Sequence, residues 1–290
     1  MSQQYIATQS PYVPFGASSM KPPTLRIVPS SMSAQMNMFH AMFGLTDTVN
    51  VMVMGNCIRK SMTMTTFAGM KGARPLGNSS SSTEGWGDTS FLGLVRLYQD
   101  EINHVHLNLG VSVPSGSITE KATMLNPMGK SMTMRANYGM QLGTGTYDAL
   151  YGVTYTGKLG PWSWGLIYRG RAALGVNSEG YCWGPSNEVT GWAAYQMIDG
   201  LNLTARAAAS EWRRIYGYDY LISGPMQAAN HSYYGGQRIE LFGGLEYKVR
   251  AFGVTPVRFA VEAGAPVYQT LNGPQMAKAW QVNVALGIRF

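Results

Sequence analysis

The stretch of sequence that decides the fold is the last one, Trp280-Gln281-Val282-Asn283-Val284-Ala285-Leu286-Gly287-Ile288-Arg289-Phe290. Side chains of a β-strand point alternately to its two faces. One face therefore collects the apolar side chains, and the other collects the small or polar ones, which are Gln281, Asn283, Ala285, Gly287 and Arg289. The pattern predicts a strand with one apolar face.

The same alternation recurs along nearly the whole chain in segments of about ten residues, which is the sequence signature of a transmembrane β-barrel. Aromatic residues lie near many of the segment ends. The predicted strands are 32–44, 49–60, 88–98, 104–113, 147–156, 162–174, 187–198, 201–213, 238–249, 257–264 and 280–290.

Short and long connections alternate strictly between these strands. Asp199-Gly200 is a strong signal for a two-residue hairpin turn, and the run Ser79-Ser80-Ser81-Ser82 falls in a predicted flexible loop. Short turns on one side of a membrane and long loops on the other are typical of outer-membrane barrels. The short connections are 45–48, 99–103, 157–161, 199–200 and 250–256, and the long ones are 65–87, 114–145, 175–186, 214–236 and 265–279.

Composition agrees with a single barrel and excludes several other classes of protein. The chain has 290 residues, of which 45% are hydrophobic and only 13% charged, so one barrel accounts for its length. No helical stretch of 18 apolar residues exists, which excludes a helical membrane protein. The net charge is +7, but Lys and Arg are scattered without a basic run, so the sequence predicts no nucleic-acid partner.

We therefore predict an all-β fold, a transmembrane antiparallel up-and-down β-barrel in the outer membrane of a Gram-negative bacterium, with long surface loops and short periplasmic turns. Bacterial single-chain barrels have an even number of strands, so the eleven visible ones predict about 12 in the full-length protein. Residues 32–290 would form the barrel. Residues 1–31, which carry five prolines, would be an irregular surface loop.

Two explanations of the odd strand count remain open. In the first, the upstream strand and the signal peptide are missing from this sequence, because Met1-Ser2-Gln3-Gln4 has neither a basic region nor an apolar core. In the second, residues 4–10 or 24–28 form a short irregular strand that nearly closes the barrel.

Methionine is unusually frequent on the faces predicted to point into the lumen. The side chains concerned are Met36, Met38, His40, Met42, Met52 and Met54. Thioethers together with imidazole are soft ligands that favour Cu(I), which predicts a site for copper or another soft metal. Methionine is also a flexible filler, so the same side chains would equally form an apolar lining or pack a plug.

Charged lumen candidates carry both signs. They would either set the selectivity of a pore, as charged rings do in channels, or pair with one another and only fill and rigidify the barrel. With the histidines, the candidates for lining and selectivity are His40, His106, Arg96, Arg169, Arg171, Arg206, Glu240, Glu246, Arg258 and Glu262, to which the faces also add Asp148, Lys248 and Arg289.

Catalysis finds little support, and we predict that the protein is not an enzyme and has no cofactor. His106 and Ser112 share an inward face, but six residues of strand separate them by roughly 20 Å. No GxSxG motif occurs.

Cys57 and Cys182 have neither metal-ligand nor CxxC spacing. They would either form a disulfide in an oxidising compartment or remain two unpaired small residues.

Aromatic side chains near strand ends predict the two boundaries between lipid and water, where amphipathic rings are favoured. Trp162, Trp164, Trp280 and Phe290 are the main candidates, joined by Tyr151, Tyr155, Trp192, Tyr195 and Tyr247.

Several blocks of sequence resemble a known family. They are 36–47 (MNMFHAMFGLTD), 60–62 (KSM), 106–118 (HLNLGVSVPSGSI), 141–148 (QLGTGTYD), 266–269 (PVYQ) and 273–275 (GPQ). Over most of residues 32–290 the chain is similar to the outer-membrane transporters of the MetA-pathway phenol-degradation family. The resemblance implies a barrel that moves small solutes, including aromatic ones. It also implies a signal peptide and a further strand upstream of this sequence. It also implies that Phe290 is the terminal aromatic recognised by barrel-assembly machinery.

Three hypotheses of function follow. The leading one is an outer-membrane channel or transporter for small, apolar or aromatic solutes, with the lipid bilayer and the solute as its partners. The second is a barrel rich in Met and His that handles copper or another soft metal. The third is a closed structural barrel without transport. The sequence leaves the solute, the gating and the oligomeric state open.

Overall fold

The chain forms seventeen β-strands and three short 3-10 helices in the residues that a computed structural model describes, which are 2–7, 25–69, 74–251 and 255–288. In that part of the chain, no helix has the length and apolar character to cross a membrane. The strands are β1 (Ser2–Ala7), β2 (Ile27–Gly44), β3 (Val49–Phe67), β4 (Pro75–Trp86), β5 (Thr89–Gln99), β6 (Asn103–Val113), β7 (Lys121–Leu125), β8 (Ser131–Arg135), β9 (Asp148–Leu159), β10 (Trp162–Ala173), β11 (Tyr181–Cys182), β12 (Ser186–Ile198), β13 (Leu201–Trp212), β14 (Tyr216–Gly217), β15 (Gly236–Ala251), β16 (Thr255–Leu271) and β17 (Trp280–Ile288).

The main sheet is a curled, antiparallel, up-and-down barrel wall. Eleven of the thirteen strands in this sheet form the wall and pair in chain order, as β2, β3, β5, β6, β9, β10, β12, β13, β15, β16 and β17. The backbone of β1 pairs with both ends of this series, with β17 on one side and β2 on the other. The predicted fold class and its eleven visible strands are therefore confirmed.

The amino-terminal boundary differs from the predicted one at residue 32. Strand β2 begins at Ile27, because β3 continues to Phe67 and offers a longer partner. Pro29 lies at a shift of register, where its missing N–H costs no ladder hydrogen bond. Residues 2–7 also form a strand, where the first explanation of the strand count predicted a loop and the second predicted a short strand at residues 4–10. Residues 8–24 lie outside the described part of the chain, and the upstream strand and signal peptide stay predictions.

Strand β4 lies in the segment 65–87, where a flexible loop was predicted, and that prediction was wrong. The strand pairs with the upper half of β3. Its alternation is carried by polar residues, which an analysis of apolar periodicity does not detect. Cross-strand contacts between hydroxyl and amide groups stabilise it, such as Thr63 Oγ1 with Ser80 Oγ at 3.0 Å and Thr65 Oγ1 with Asn78 Oδ1 at 2.9 Å.

The long connections 114–147, 174–185 and 213–235 fold together at the long-loop end, and we call this region the cap. The first was predicted as loop, yet it contains the β7–β8 hairpin. Strands β11 and β14 join the second connection to the third. The cap shares a hydrophobic core with the upper ends of β2 and β3, comprising Ile27, Met62, Met64, Ala122, Met124, Ala136, Tyr138, Met140, Tyr181, Ile215, Ile222, Met226 and Ala229.

The outer face of the wall is apolar and exposed. Phe43, Leu166, Leu241 and Leu286 each expose more than half of their surface, at 62%, 51%, 51% and 64%. A soluble monomer rarely exposes a contiguous apolar surface of this extent, whereas the outside of a transmembrane barrel is apolar by necessity. The barrel thus presents its apolar face to lipid.

The turn between β5 and β6 is held by one carboxylate. Asp100 Oδ1 accepts the backbone N–H groups of Asn103 at 2.5 Å and Ile102 at 2.8 Å. The backbone hydrogen bond from Asn103, followed by the other donors at this turn, holds the pKa of Asp100 well below its ordinary value. A depressed pKa stabilises the fold at pH values above the ordinary pKa, and this contribution disappears as the pH falls.

We expect Asp100→Ala to lower the urea midpoint of the vesicle-inserted barrel at pH 7, and the difference from the parent to shrink as the pH drops below about 4. Asp100→Asn keeps an acceptor oxygen and is the control, with a smaller loss at pH 7. A difference that is the same at both pH values would contradict the electrostatic explanation.

Candidate solute pathway in the barrel lumen

The described residues line two cavities inside the ring of strands. The lumen cavity has a volume of about 920 Å³ and is lined from Met42 on β2 round to Gln281 on β17. The turn-side cavity, of about 1160 Å³, is lined near the short turns by residues such as Lys158 and Asp199. His106 lines both, so the two cavities meet at its side chain.

One half of the lumen cavity has an apolar wall. Met42, Met52, Leu92 and Leu150 lie on one row of paired positions that crosses β2, β3, β5, β6 and β9. Directly paired residues of an antiparallel sheet project to the same face, and all four line the cavity. Met54, Leu94 and Ile167 extend this apolar wall.

The other half carries ion pairs contributed by β9, β10, β12, β13, β15 and β16. Three of them join one cation to one carboxylate: Arg169 with Glu188 at 2.6 Å, Arg171 with Asp148 at 2.7 Å and Arg206 with Glu262 at 2.5 Å. A fourth pair, Arg213 with Glu211 at 3.0 Å, lies at the rim. The first two pairs join neighbouring strands, whereas Arg206 reaches Glu262 across the intervening strand β15.

Arg206 has the most constrained position of the four arginines. Its guanidinium donates through both Nε and Nη2 to Glu262, at 3.1 and 2.5 Å, and lies 3.7 Å from the centroid of the Phe242 ring. A bidentate carboxylate and an aromatic face together fix the planar group. Asn283 Nδ2 donates to the same carboxylate at 2.6 Å, which ties β17 to this network.

Two carboxylates are each shared by two cations. Glu240 contacts Arg238 Nε at 3.2 Å and Lys278 Nζ at 2.5 Å. Glu246 contacts Lys248 Nζ at 2.7 Å and also the guanidinium of Arg258. Each of these two carboxylates therefore bridges two cations.

The predicted lumen residues fall into three groups. His106, Arg169, Arg171, Arg206, Glu240 and Arg258 line the lumen cavity. Glu246 and Glu262 pair with lining arginines. Arg96 lines neither cavity and donates to Gln99 at 2.6 Å near the turn, while His40 is an exposed residue of β2 in register with Met54.

Sequence reasoning did not select Arg238, Glu188 or Lys278. Arg238 and Glu188 lie on the inward faces of β15 and β12. Each is two positions from another inward residue of its strand, which for Arg238 is the predicted Glu240, so the alternation of the strand already indicated that both side chains point inward. Lys278 lies in the connection between β16 and β17, where no strand periodicity applies. Its position became evident only through its contact with Glu240.

The methionines divide between lumen and cap. Met42, Met52 and Met54 line the lumen cavity, and Met36 and Met38 lie in register with Ile58 and Asn56 on the same face. Met62, Met64, Met124, Met140 and Met226 are buried in the cap core. Within the described ranges, no group of three or more His, Cys, Asp or Glu side chains is placed to hold a metal ion. The soft-metal site stays a prediction.

The aromatic candidates mostly face outward. Trp162 is 52% exposed and its ring lies 4.8 Å from that of Tyr195, while Trp164 Nε1 donates to Tyr155 Oη at 3.1 Å. Trp280 is half-buried on the outward face of β17, and Phe290 and Arg289 lie outside the described residues. Trp192 instead lines the turn-side cavity, because it shares the inward face of β12 with Glu188.

Cys57 and Cys182 are both free thiols.

Comparison with known proteins supports the fold and gives no family name. No family model matches the chain, and no curated protein matches it. The outer-membrane channel COG4313 from Pseudomonas putida F1 is similar in structure, with a TM-score of 0.58 at 13% sequence identity over 99% of this chain and 93% of that one. The NanC porin, with a TM-score of 0.44 at 8% identity, covers 100% of this chain and 98% of its own.

A FadL homologue from Pseudomonas aeruginosa reaches a TM-score of 0.44 at 9% identity, over 88% of this chain and 66% of that one. The two scores of 0.44 are too low to carry an argument. The likeness to the COG4313 channel agrees with two features of this chain, the closed strand pairing and the apolar outer face. The chain has the fold of a bacterial outer-membrane β-barrel.

Proposed function

We propose that the protein is an outer-membrane channel or transporter that moves small solutes without an enzymatic step. The observation that carries this proposal is the lumen cavity of about 920 Å³, enclosed by a wall whose outer face is apolar. Binding pockets for small molecules typically measure about 300–1000 Å³. The turn-side cavity continues from it at His106 towards the short turns.

The apolar wall of the lumen cavity favours solutes with an apolar or aromatic part. An apolar part of the solute would lie against an uncharged surface, which is formed by Met42, Met52, Leu92 and Leu150. This agrees with the resemblance to the MetA-pathway phenol-degradation family, although no family model matches the chain. We propose that relationship. We also propose that barrel-assembly machinery inserts the protein by recognising its carboxy-terminal strand.

A closed structural barrel remains the second candidate, because the cap packs into one hydrophobic core with the upper ends of β2 and β3 at the long-loop end. Conductance separates the two candidates. A channel gives discrete openings in planar bilayers and solute flux in liposomes, whereas a closed barrel gives neither. The soft-metal alternative is tested by Cu(I) titration against a variant with Met36, Met38, Met42, Met52 and Met54 replaced by Leu; equal affinities would end it.

We expect His106→Trp to reduce single-channel conductance by about half or more, because an indole at the junction of the two cavities narrows the path. The control is Leu109→Trp on the same strand, where the side chain is 51% exposed on the outward face and the lumen is unchanged. Equal conductance of the two variants would place the solute path elsewhere.

A further inference from the structure

Two of the four histidines of the chain lie next to one another at the junction of the two cavities. The four are His40, His104, His106 and His231. His104 and His106 are two residues apart on β6, so their side chains project to the same face. Both line the turn-side cavity, and His106 also lines the lumen cavity. One strand therefore presents two imidazoles to the same space.

Strand pairing on both sides of β6 fixes the direction of the two rings. The strand is hydrogen-bonded to β5 on one side and to β9 on the other. Val105, between the two histidines, lies on the outward face in register with Tyr98 and Tyr155. A slip of one residue would place both imidazoles in lipid and Val105 in the cavity. The two rings are thus held on the cavity side before any ligand binds.

The spacing of the two side chains suits a single metal ion. Residues two apart on a strand have Cα atoms roughly 6.6 Å apart, because each residue rises by about 3.3 Å. Two rings on neighbouring inward positions can therefore lean towards one ion between them, at Zn–N distances of about 2.0–2.1 Å. Imidazole is the commonest protein ligand of metals and suits Zn²⁺, Cu²⁺ and Ni²⁺.

Both imidazoles are available to such an ion. No hydrogen bond or ion pair joins either ring to another residue in the part of the chain that the structure describes. Arg96, the cation in register with His106, lines neither cavity and donates through Nη1 to Gln99 at 2.6 Å. Thr156, in register with His104, contributes to the wall of the turn-side cavity. An ion would therefore meet two uncommitted nitrogen atoms beside an uncharged hydroxyl group.

The pair is separate from the methionines of the lumen and suits a different class of metal. Met42, Met52 and Met54 on β2 and β3 carry thioethers, which favour Cu(I). Two imidazoles without a thioether favour divalent ions such as Zn²⁺ and Cu²⁺. Among the described residues no third His, Cys, Asp or Glu side chain completes the set, so water would occupy the remaining coordination positions.

We propose that His104 and His106 chelate one divalent transition-metal ion, such as Zn²⁺, where the lumen cavity meets the turn-side cavity. A bound ion with its water ligands obstructs the path at this junction, so Zn²⁺ acts as a blocker of the pore. The blockade rests on the proposed channel function. Chelation by itself does not.

Titration of the purified barrel in detergent with Zn²⁺, followed by calorimetry, tests the chelation. His104→Gln and His106→Gln, each alone, should weaken Zn²⁺ binding by about tenfold or more, because the second imidazole binds intramolecularly and its loss removes the chelate. His231→Gln is the matched control and should keep the affinity of the parent. Its ring lies in the cap, stacked on that of Tyr218, and lines neither cavity. Equal affinities of the parent and either single variant would overturn the proposal, as would an equal loss in the control.

The spectrum of bound Cu²⁺ counts the imidazoles independently of affinity. Electron paramagnetic resonance of the barrel with one equivalent of Cu²⁺ resolves coupling to the coordinated nitrogen atoms. We expect two imidazole nitrogens in the parent and one in either single variant. A parent spectrum with fewer than two would contradict the chelate. Heat-modifiable migration in gels confirms that each variant is folded before either measurement.

Single-channel recording measures the consequence for the pore. Zn²⁺ added on the turn side should reduce the conductance of the parent by about half or more, and EDTA should restore it. His104→Gln should show no blockade at the same Zn²⁺ concentration. Zn²⁺ binding in a barrel that gives no openings even without metal would leave the chelate standing and remove the channel function. Openings in a barrel that binds no Zn²⁺ would do the opposite, and binding that leaves the conductance unchanged would overturn the placement of the ion on the path.

Discussion

Leu166→Arg is expected to destabilise the inserted barrel by about 2–4 kcal/mol, because the guanidinium would lie in the hydrocarbon layer near the middle of β10. Leu166 is 51% exposed on the outward face and lies in register with Tyr155 and Gly191 on the neighbouring strands. Urea titration of the protein refolded into lipid vesicles measures the change.

The control is Ile167→Arg, the adjacent residue, whose side chain lines the lumen cavity. The same charged group would there be hydrated, so we expect a loss below about 1 kcal/mol. Adjacent positions of one strand have the same depth and opposite faces. Equal losses at both positions would show that the outward face does not contact lipid, and the membrane assignment would then be wrong.

Tyr138→Ala is expected to remove about 3–5 kcal/mol from the stability of the cap while leaving the barrel folded. Tyr138 is 1% exposed, and its ring contacts those of Tyr181 and Tyr234 edge to face, with centroids 4.9 and 5.7 Å apart. Its phenol oxygen accepts the backbone N–H of Asp219 at 3.0 Å. This one side chain therefore joins all three connections of the cap.

Limited proteolysis of the folded protein measures cap opening apart from barrel unfolding. Cleavage within the cap should accelerate by about a hundredfold or more in Tyr138→Ala, because cleavage follows the population of the locally open state. Tyr138→Phe loses only one hydrogen bond and should cost about 1 kcal/mol. Tyr220→Ala, at a position 72% exposed, should change nothing. A Tyr138→Ala cap that resists protease like the parent would show that the cap is not held by this core.

The faces of the wall strands were largely predictable from the sequence, with Trp192 on the inward face of β12 as an exception. In β17, Gln281 and Asn283 are buried on the inward face while Leu286 and Ile288 are exposed on the outward one, as the alternation predicted. Each strand of the wall shows its apolar face in its own sequence, because lipid contact on one side and water on the other impose a period of two. Connection lengths, equally local, predicted which ends of the barrel have short turns.

Polar strands and folded loops were beyond this reasoning. The run Ser79 to Ser82 has no apolar member, so its alternation carried no signal, and β4 forms because β3 supplies a partner. In the cap, Met64 of β3, Met124 of β7 and Met226 of a later connection pack into one core. Their burial depends on loops that are distant in the chain, and methionine by itself predicts either packing or a metal site.

The sequence by itself determined the all-β class, the eleven strands of the wall and the face that each presents to lipid, because these follow from interactions of each segment with its solvent. The tertiary structure alone decided which charges meet. Arg206 with Glu262 and Lys278 with Glu240 are far apart in the chain and meet only through the register of the ladders that join β13, β15 and β16 and through the path of the connection after β16. Glu240 and Glu246 each contact one cation of their own strand and one from β16 or from the connection after it, because pairing of neighbouring strands brings residues that are distant in the chain to the same face.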